Sequence, residues 1–451
     1  MNLPDGPKAP RWLQKIQYTA DPLGFMDAAG QRYGDIFNAP VIGNTDTLLV
    51  SHPQALQQIF SNDTKQFTAP SNQLLQPLVG NHSMFVLEGD RHRRERKLVM
   101  PPFHGDRMRS YGQTIIDLTE KAVDRLVPNQ VFIARNTVQD ISMEVILQVV
   151  FGLAEGERFY QLKQRITAFM DVFQVPLLAG VLFFPALQKD FGSRSPWGYI
   201  RHLQRQVDEL LYAEIRDRQT YHDPSRTDIL SLLLSAQDEA GEKMTEVELH
   251  DELMTLLLAG HETTATAIAW ALYWVHRVPG IRDTALKELE TLGQEPDPAS
   301  IVRLPYLTAV CYEALRIYPV AVLTVPRAVK EPVELMGYSL AAGVRLYGCI
   351  YLTHHREDIY PDSRQFKPER FLKRQFSPYE FLPFGGGVRR CIGEALALFE
   401  MKLVVATILR RCDLYLADPQ PERPKRRGVT MAPERGVQMV MRSRHMDKAI
   451  C

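Results

Sequence analysis

The residues best able to do chemistry gather in two short stretches. The first is Phe384-Gly385-Gly386-Gly387-Val388-Arg389-Arg390-Cys391-Ile392-Gly393. Glycines on both sides of a cysteine let the backbone turn tightly and let a flat ligand approach it closely. N–H groups of such a turn can aim at the sulfur and stabilise a thiolate, the form of cysteine that ligates metal. A helix expected to begin just after Cys391 adds its positive N-terminal end. Arg389, two residues before the cysteine, is a fixed planar cation suited to a carboxylate at the ligand's edge.

The second stretch is Ala259-Gly260-His261-Glu262-Thr263-Thr264, set between the apolar runs Met254–Ala259 and Ala265–Tyr273. Gly260 leaves out a side chain at mid-helix, at a cost of about 1 kcal/mol against alanine. That gap makes sense where a ligand must lie against the backbone. Thr263 can bond back to a carbonyl one turn earlier and loosen the helix, and Glu262 supplies an acid beside it. Elsewhere, Glu313 and Arg316 stand three apart on one helix face and can pair. Spacing alone reads that pair as a solvated surface contact.

The cysteine loop resembles the haem-binding signature of the cytochrome P-450 superfamily, Phe-x-x-Gly-x-Arg-x-Cys-x-Gly, at every fixed position. Three further motifs of that family precede it in the expected order: Ala259–Thr264, then Glu313-Ala314-Leu315-Arg316, then Phe366-Lys367-Pro368-Glu369-Arg370-Phe371. The resemblance spans nearly the whole chain, and its N-terminal and haem-loop sequences look similar to soluble bacterial, cyanobacterial-like members. It implies haem b with Cys391 as the axial ligand, in a loop shaped by Phe384, Gly387 and Gly393, with Gly260 also toward the cofactor. A thiolate ligand pushes electron density toward O–O cleavage. Glu262 and Thr263 resemble the family's acid–alcohol pair, which relays protons; the reading leaves open whether Thr263 or Thr264 dominates. Arg370 would complete a buried network with Glu313 and Arg316 that braces the cysteine loop. His92 and Arg96, four apart on one helix face, and Arg327 after Pro326 fall where the family places groups for the haem propionates, alongside Arg389.

The elements that must position these residues are mostly helices. Apolar residues recur at helical spacing in Met108–Val127, Thr137–Phe151, Tyr199–Gln219 and Thr245–His276, the last roughly 48 Å long at 1.5 Å per residue. A hairpin is expected over Asp35–Ser51, punctuated by Gly43 and Asn44. After Tyr318 come short strands and proline-rich turns, then a final helix near Glu394–Arg411. No repeat or long linker parts the chain. The expectation is a mainly α fold with a small β part, one domain over residues 1–451. Its β-containing N-terminal part covers about 30–60, its helical body about 80–318, and its strand-rich haem-loop part about 319–451. The resemblance implies the cytochrome P-450 fold, with haem between the long central helix and the cysteine-loop helix.

Composition narrows function. Lysine plus arginine equals aspartate plus glutamate at 53 each, so the balance points to neither nucleic acid nor a membrane surface. The basic residues around His92 are interrupted by Glu95 and lack the aromatic interleaving of nucleic-acid sites. The most apolar stretch, Val175–Leu187, is 13 residues broken by Pro176 and Pro185, too short to span a bilayer. No membrane anchor is expected. The cysteines, Cys311, Cys349, Cys391, Cys412 and Cys451, have no paired spacing and fit a reducing, cytoplasmic setting. A monomer is expected.

By the resemblance, parts of Ser71–Phe85, Phe169–Leu187, Leu256–Ala259, Val320–Thr324 and Thr430–Met431 line an apolar pocket for a hydrophobic substrate, a long-chain fatty acid or a terpenoid. Thr68, Ser71, Asn72 and Gln73 could hold its polar end. The expected activity is hydroxylation with O₂ and two electrons. The chain carries no flavin or nicotinamide module, so a ferredoxin with its reductase is expected to donate. Lys373, Arg374, Arg390, Lys402, Arg410 and Arg411 could form its basic dock. The alternatives are a peroxide-using or isomerase-type haem-thiolate enzyme, which often lacks the acid–alcohol pair, and a haem sensor or electron carrier, which needs no large pocket.

Overall fold

The longest helix, Glu246–Arg277, has 32 residues and starts at a reciprocal cap. Thr245 Oγ1 accepts from the Glu248 N–H at 3.2 Å, and the Glu248 carboxylate accepts from the Thr245 N–H at 2.7 Å. His276 and Arg277 in its last turn suit the negative end of the helix dipole. Its middle, Ala265–Tyr273, is buried on every side, so it runs through the core. Helices Ala134–Phe151, Pro196–Thr220, Pro305–Ile317 and Glu394–Arg411 pack around it.

The computed structural model describes residues 3–445 apart from 43–45, 72–74, 104, 106, 175–177, 179–180, 182–186, 222 and 224. The expected helices are found within a few residues of their predicted ends, at Arg107–Asp124, Ala134–Phe151, Pro196–Thr220 and Glu394–Arg411. The strands Ile36–Asn38 and Thr47–Val50 pair antiparallel as expected, although the tip at Gly43 and Asn44 lies outside the described residues. Two helices that the sequence reading did not anticipate precede them, Arg11–Ala20 and Pro22–Tyr33. The second has a recognisable start, because Asp21 accepts from the Gly24 N–H and Pro22 opens the first turn.

A five-stranded sheet runs in the order Ile36–Asn38, Thr47–Val50, Arg345–Gly348, Arg327–Val329, Phe67–Thr68. Thr47–Val50 and Arg345–Gly348 are parallel, so this sheet joins strands almost 300 residues apart. It brings Asp63, just before the edge strand, beside Arg327. A three-stranded sheet of Val131–Ile133, Gln438–Arg444 and Cys412–Leu416 and two hairpins complete the β part. Among the described residues, no helix is long and apolar enough to cross a membrane.

Candidate active site

The cysteine loop turns as its glycines suggest. Gly385 and Gly387 adopt φ of 71° and 64°, a region costly for other residues. The Cys391 N–H donates to the Phe384 carbonyl at 3.0 Å, and the Gly393 N–H donates to the cysteine sulfur. The three glycines have different neighbours. A Cβ on Gly386 would sit 2.7 Å from the Phe60 ring, and one on Gly387 would sit 2.2 Å from the Asp63 carboxylate. A Cβ on Gly393 would meet nothing within 4 Å. Gly387 is therefore small both because its backbone is left-handed and because Asp63 approaches it closely. Gly393 by contrast faces open space.

Cys391 has open space on one side although protein surrounds it closely. Burial pushes its thiol up to about 11, outweighing the Gly393 N–H and the cations Arg96 and Arg390. The loop alone therefore does not make a thiolate; a coordinated metal cation does so outright.

Four expected cationic groups from three distant stretches converge beside this loop. Burial first, then Arg389, Arg96 and Arg327, pull the His92 imidazole down to about 3, so it is neutral at ordinary pH. Arg96 donates to the Arg390 carbonyl at 2.7 Å. Arg389 spans to the carbonyls of Met84, Ala69 and Leu87, while its buried Nε has no partner among the described residues. Burial and then Arg327 bring the Arg389 guanidinium down to about 10. Several cations forced together with an orphaned donor form a site for anionic groups, which fits a cofactor bearing carboxylates at its edge.

Arg327 has a second role within the protein. Its guanidinium pairs with both Asp63 oxygens, at 2.6 and 2.8 Å, and donates to the carbonyls of Val325, Pro326 and Gly386. These bonds tie the sheet to the cysteine loop. Asp63, which also accepts from the Val388 N–H at 2.9 Å, escaped the sequence reading. No local motif marks it, because its partners lie more than 260 residues away.

The Glu313 network is buried, not a surface pair. Arg316 forms a two-pronged bond to Glu313 at 2.7 and 2.8 Å, both side chains at 0% exposure. Arg370 reaches the same carboxylate at 3.1 Å, and the Lys367 N–H adds a bond at 2.8 Å. Arg316 also donates to the His354 carbonyl, and His354 Nε2 accepts from the Leu382 N–H at 3.0 Å. The network thus reaches the start of the cysteine loop through His354, a second residue that carried no sequence signal.

On the central helix, Leu256, Ala259, Gly260 and Thr263 share one half-buried face while the turns beyond are buried. Thr263 Oγ1 donates to the Ala259 carbonyl at 2.6 Å, the back-bond expected of it. Thr264 is buried on another side. Glu262 pairs with Arg135 at 3.0 Å. Burial pushes the Glu262 carboxyl up, while Arg135, Arg427 and Thr430 pull against it. A Cβ on Gly260 would lie 3.1 Å from Ile146, so helix packing also favours glycine there.

The family model for cytochrome P450 matches residues 4–440. The chain belongs to the cytochrome P450 family. It is 36% identical over 445 residues to cytochrome P450 135B1 of Mycobacterium tuberculosis, with 98% of this chain and 92% of that one covered. It is 34% identical over 441 residues to cytochrome P450 135A1 of the same species, covering 97% and 94%. The structure of retinoic acid bound cyanobacterial CYP120A1 matches with a TM-score of 0.85 at 23% identity, over 98% of this chain and 99% of that chain. The fold is thus the mainly helical P450 fold with small sheets. Membership carries the haem-thiolate cofactor and monooxygenase chemistry.

The P450's other expected surfaces are altered in detail. Thr68 Oγ1 donates to the Ala328 carbonyl and the Ser71 N–H donates to Glu88, while Asn72, Gln73 and most of 175–186 lie outside the described residues. Phe85, Leu256, Ala259, Ala321 and Leu323 are half-buried, whereas Phe169, Thr430 and Met431 are buried. Of the expected dock, Arg390 pairs with Glu394, Arg374 with Glu380 and Arg411 with Glu120. Lys402 donates to the Val302 carbonyl, and Arg410 to those of Leu289, Gly293 and Gln294. Much of that positive charge is compensated or turned inward.

Proposed function

We propose that this P450 hydroxylates an apolar substrate, a long-chain fatty acid or a terpenoid, with electrons from a separate ferredoxin and its reductase. The observation that carries the site assignment is the convergence of His92, Arg96 and Arg389 beside the cysteine loop. In this reading Cys391 would hold haem b, Arg96 and Arg389 beside the neutral His92 would receive its carboxylates, and Gly393 would leave room for it. When bound, the haem supplies O₂ activation and C–H oxidation. Phe384 fixes Cys391 through its carbonyl, and Arg327 braces the loop through Asp63. Glu313, Arg316 and Arg370 hold the approach to it. Thr263 holds and passes a proton at Oγ1, Glu262 exchanges one at its carboxylate, and Gly260 keeps the distal face low.

The half-buried, mostly apolar distal face supports a ligand held by buried surface, worth about 25 cal/mol per Å². The presence of both Glu262 and Thr263 favours an O₂-using hydroxylase over the peroxide-using or isomerase readings. The mixed sheet, which joins strands from residues 36–68 with strands from 327–348, supports one domain. The four described thiols fit a cytoplasmic setting. Titrating the haem spin state with a panel of long-chain acids, terpenes, retinoic acid and small polar compounds tests the substrate class. Apolar compounds should produce the shift; a response confined to small polar compounds would overturn it. Because the dock charges are largely paired, reduction by ferredoxin should slow only moderately with salt.

A further inference from the structure

Outside the haem site, one buried group is held in an unusual grip. His250, on the first turns of the central helix, lies between two carboxylates: Nε2 is 3.0 Å from Asp208 and Nδ1 is 3.0 Å from Asp251. Its ring stacks on Tyr212 at 4.3 Å and 3°. Asp208 and Tyr212 belong to the helix Pro196–Thr220. Asp251 in turn accepts from the His82 N–H at 2.9 Å, and a Cβ on Gly80 would run into its carboxylate. The imidazole therefore joins the central helix to the helix Pro196–Thr220, and through Asp251 to the backbone at His82 just after the turn Gln76–Asn81.

The same helix grips the same turn twice more. Arg201 donates to the Pro77 carbonyl and Gln204 to the Leu78 carbonyl, both at 3.1 Å. Arg201, Gln204, Asp208 and Tyr212 recur at spacings of three and four, so they form a polar stripe on one helix face. The stripe lines a crevice of about 430 Å³ between the helix and the turn Gln76–Asn81. An apolar seam would resist opening, whereas a polar seam facing water exchanges its bonds for hydration at small net cost.

We propose that His250, bridging Asp208 and Asp251, is a pH-sensitive latch that holds the helix Pro196–Thr220 against the turn Gln76–Asn81 and so limits access to the distal pocket. The proposal rests on the placement of that pocket along the central helix. Both ring nitrogens can donate only in the protonated imidazolium. Burial by itself lowers the His250 pKa, but the hydrogen bonds and charges of Asp208 and Asp251 prevail and lift it from 6.5 to about 9. The sign follows: the latch stabilises closure fully below 6.5, weakens as pH rises and is lost above about 9. The other charged or titratable groups around it are Tyr212, Arg216 and Arg201 on the helix, Glu246 on its own element, and His82 with Arg91 on the turn side. Tyr212 is itself shifted upward, by burial first and then by Asp251 and Asp208.

The test uses haem-loaded enzyme and 4-phenylimidazole, which must pass the distal side to reach the iron, with carbon monoxide as a small control. In the unaltered enzyme the association rate of 4-phenylimidazole should rise at least about fivefold between about pH 7 and pH 10, with carbon monoxide unaffected. His250→Phe keeps the stacking, and should be fast at neutral pH and lose the pH dependence. Asp208→Asn should move the midpoint downward, and it serves if the first variant folds poorly. A flat pH profile in the unaltered enzyme, or an unmoved midpoint in Asp208→Asn, would overturn the latch. If 4-phenylimidazole leaves the Soret band unchanged at every pH, the distal pocket itself is misplaced and the latch falls with it.

Discussion

Glu262 is paired with Arg135, 3.0 Å away on the neighbouring helix Ala134–Phe151, while Thr263 beside it bonds back to Ala259. Arg135 is 2% exposed and Glu262 27%, so the acid of the expected proton relay is held by a buried cation. Replacing Arg135 with leucine should cost about 2 kcal/mol at neutral pH, less than a fully buried pair because Glu262 is partly open. The sign with pH is definite. A carboxyl raised in the folded state loses stability as pH rises, and without Arg135 it rises further. Chemical denaturation should therefore find the variant's deficit larger near pH 8 than near pH 5.

Thr263 and Thr264 differ in direction, not in type. Thr263→Ala should leave haem content and substrate affinity intact while diverting electrons to hydrogen peroxide, measured as product formed per electron consumed. Thr264→Ala should keep that coupling and lose only packing, about 1 kcal/mol. The reverse pattern would move the relay to Thr264.

Gly387 and Gly393 separate packing from ligand approach. In Gly387→Ala the new methyl meets the Asp63 carboxylate at a left-handed backbone position, so both apoprotein melting temperature and haem loading should fall. In Gly393→Ala nothing in the protein is struck. The apoprotein should melt normally and bind haem more weakly. Equal effects in the two variants would contradict the assignment of the open side of the loop.

Glu313→Ala leaves Arg316 buried without its carboxylate and should cost about 3–5 kcal/mol, yielding little folded holoprotein. Arg370→Ala removes the 3.1 Å bond to Glu313 and longer bonds to the Pro361, Asp362 and Gln365 carbonyls, but it leaves the buried Glu313–Arg316 pair intact and should cost less. Expression yield and denaturant midpoint check the order.

Much of this site was legible because its chemistry is local. The cysteine loop, the Glu262–Thr263 pair and the Glu313–Arg316 spacing each lie within one turn of chain, and the final helix was found over Glu394–Arg411 as expected. What escaped depends on distant pairing. Asp63 is one aspartate in a polar turn until the sheet brings Arg327 and Val388 to it. Arg135 and His354 are lone residues whose partners lie on other elements. Arg327 was legible as a cation beside the loop but its pairing with Asp63 was not, since spacing shows where a cation sits and not which carboxylate lies against it. The dock charges show the same limit: Arg390 was visible, but its pairing with Glu394 depends on the geometry of the helix start.

The central claim, that Cys391 ligates the haem iron as a thiolate, is tested most directly by the absorption spectrum of the reduced, carbon-monoxide-bound protein. The unaltered protein should show the long-wavelength Soret band of thiolate ligation, abolished in Cys391→Ser along with native turnover. A Soret band at the position of histidine-ligated haem in the unaltered protein, or a thiolate band that survives loss of Cys391, would contradict it.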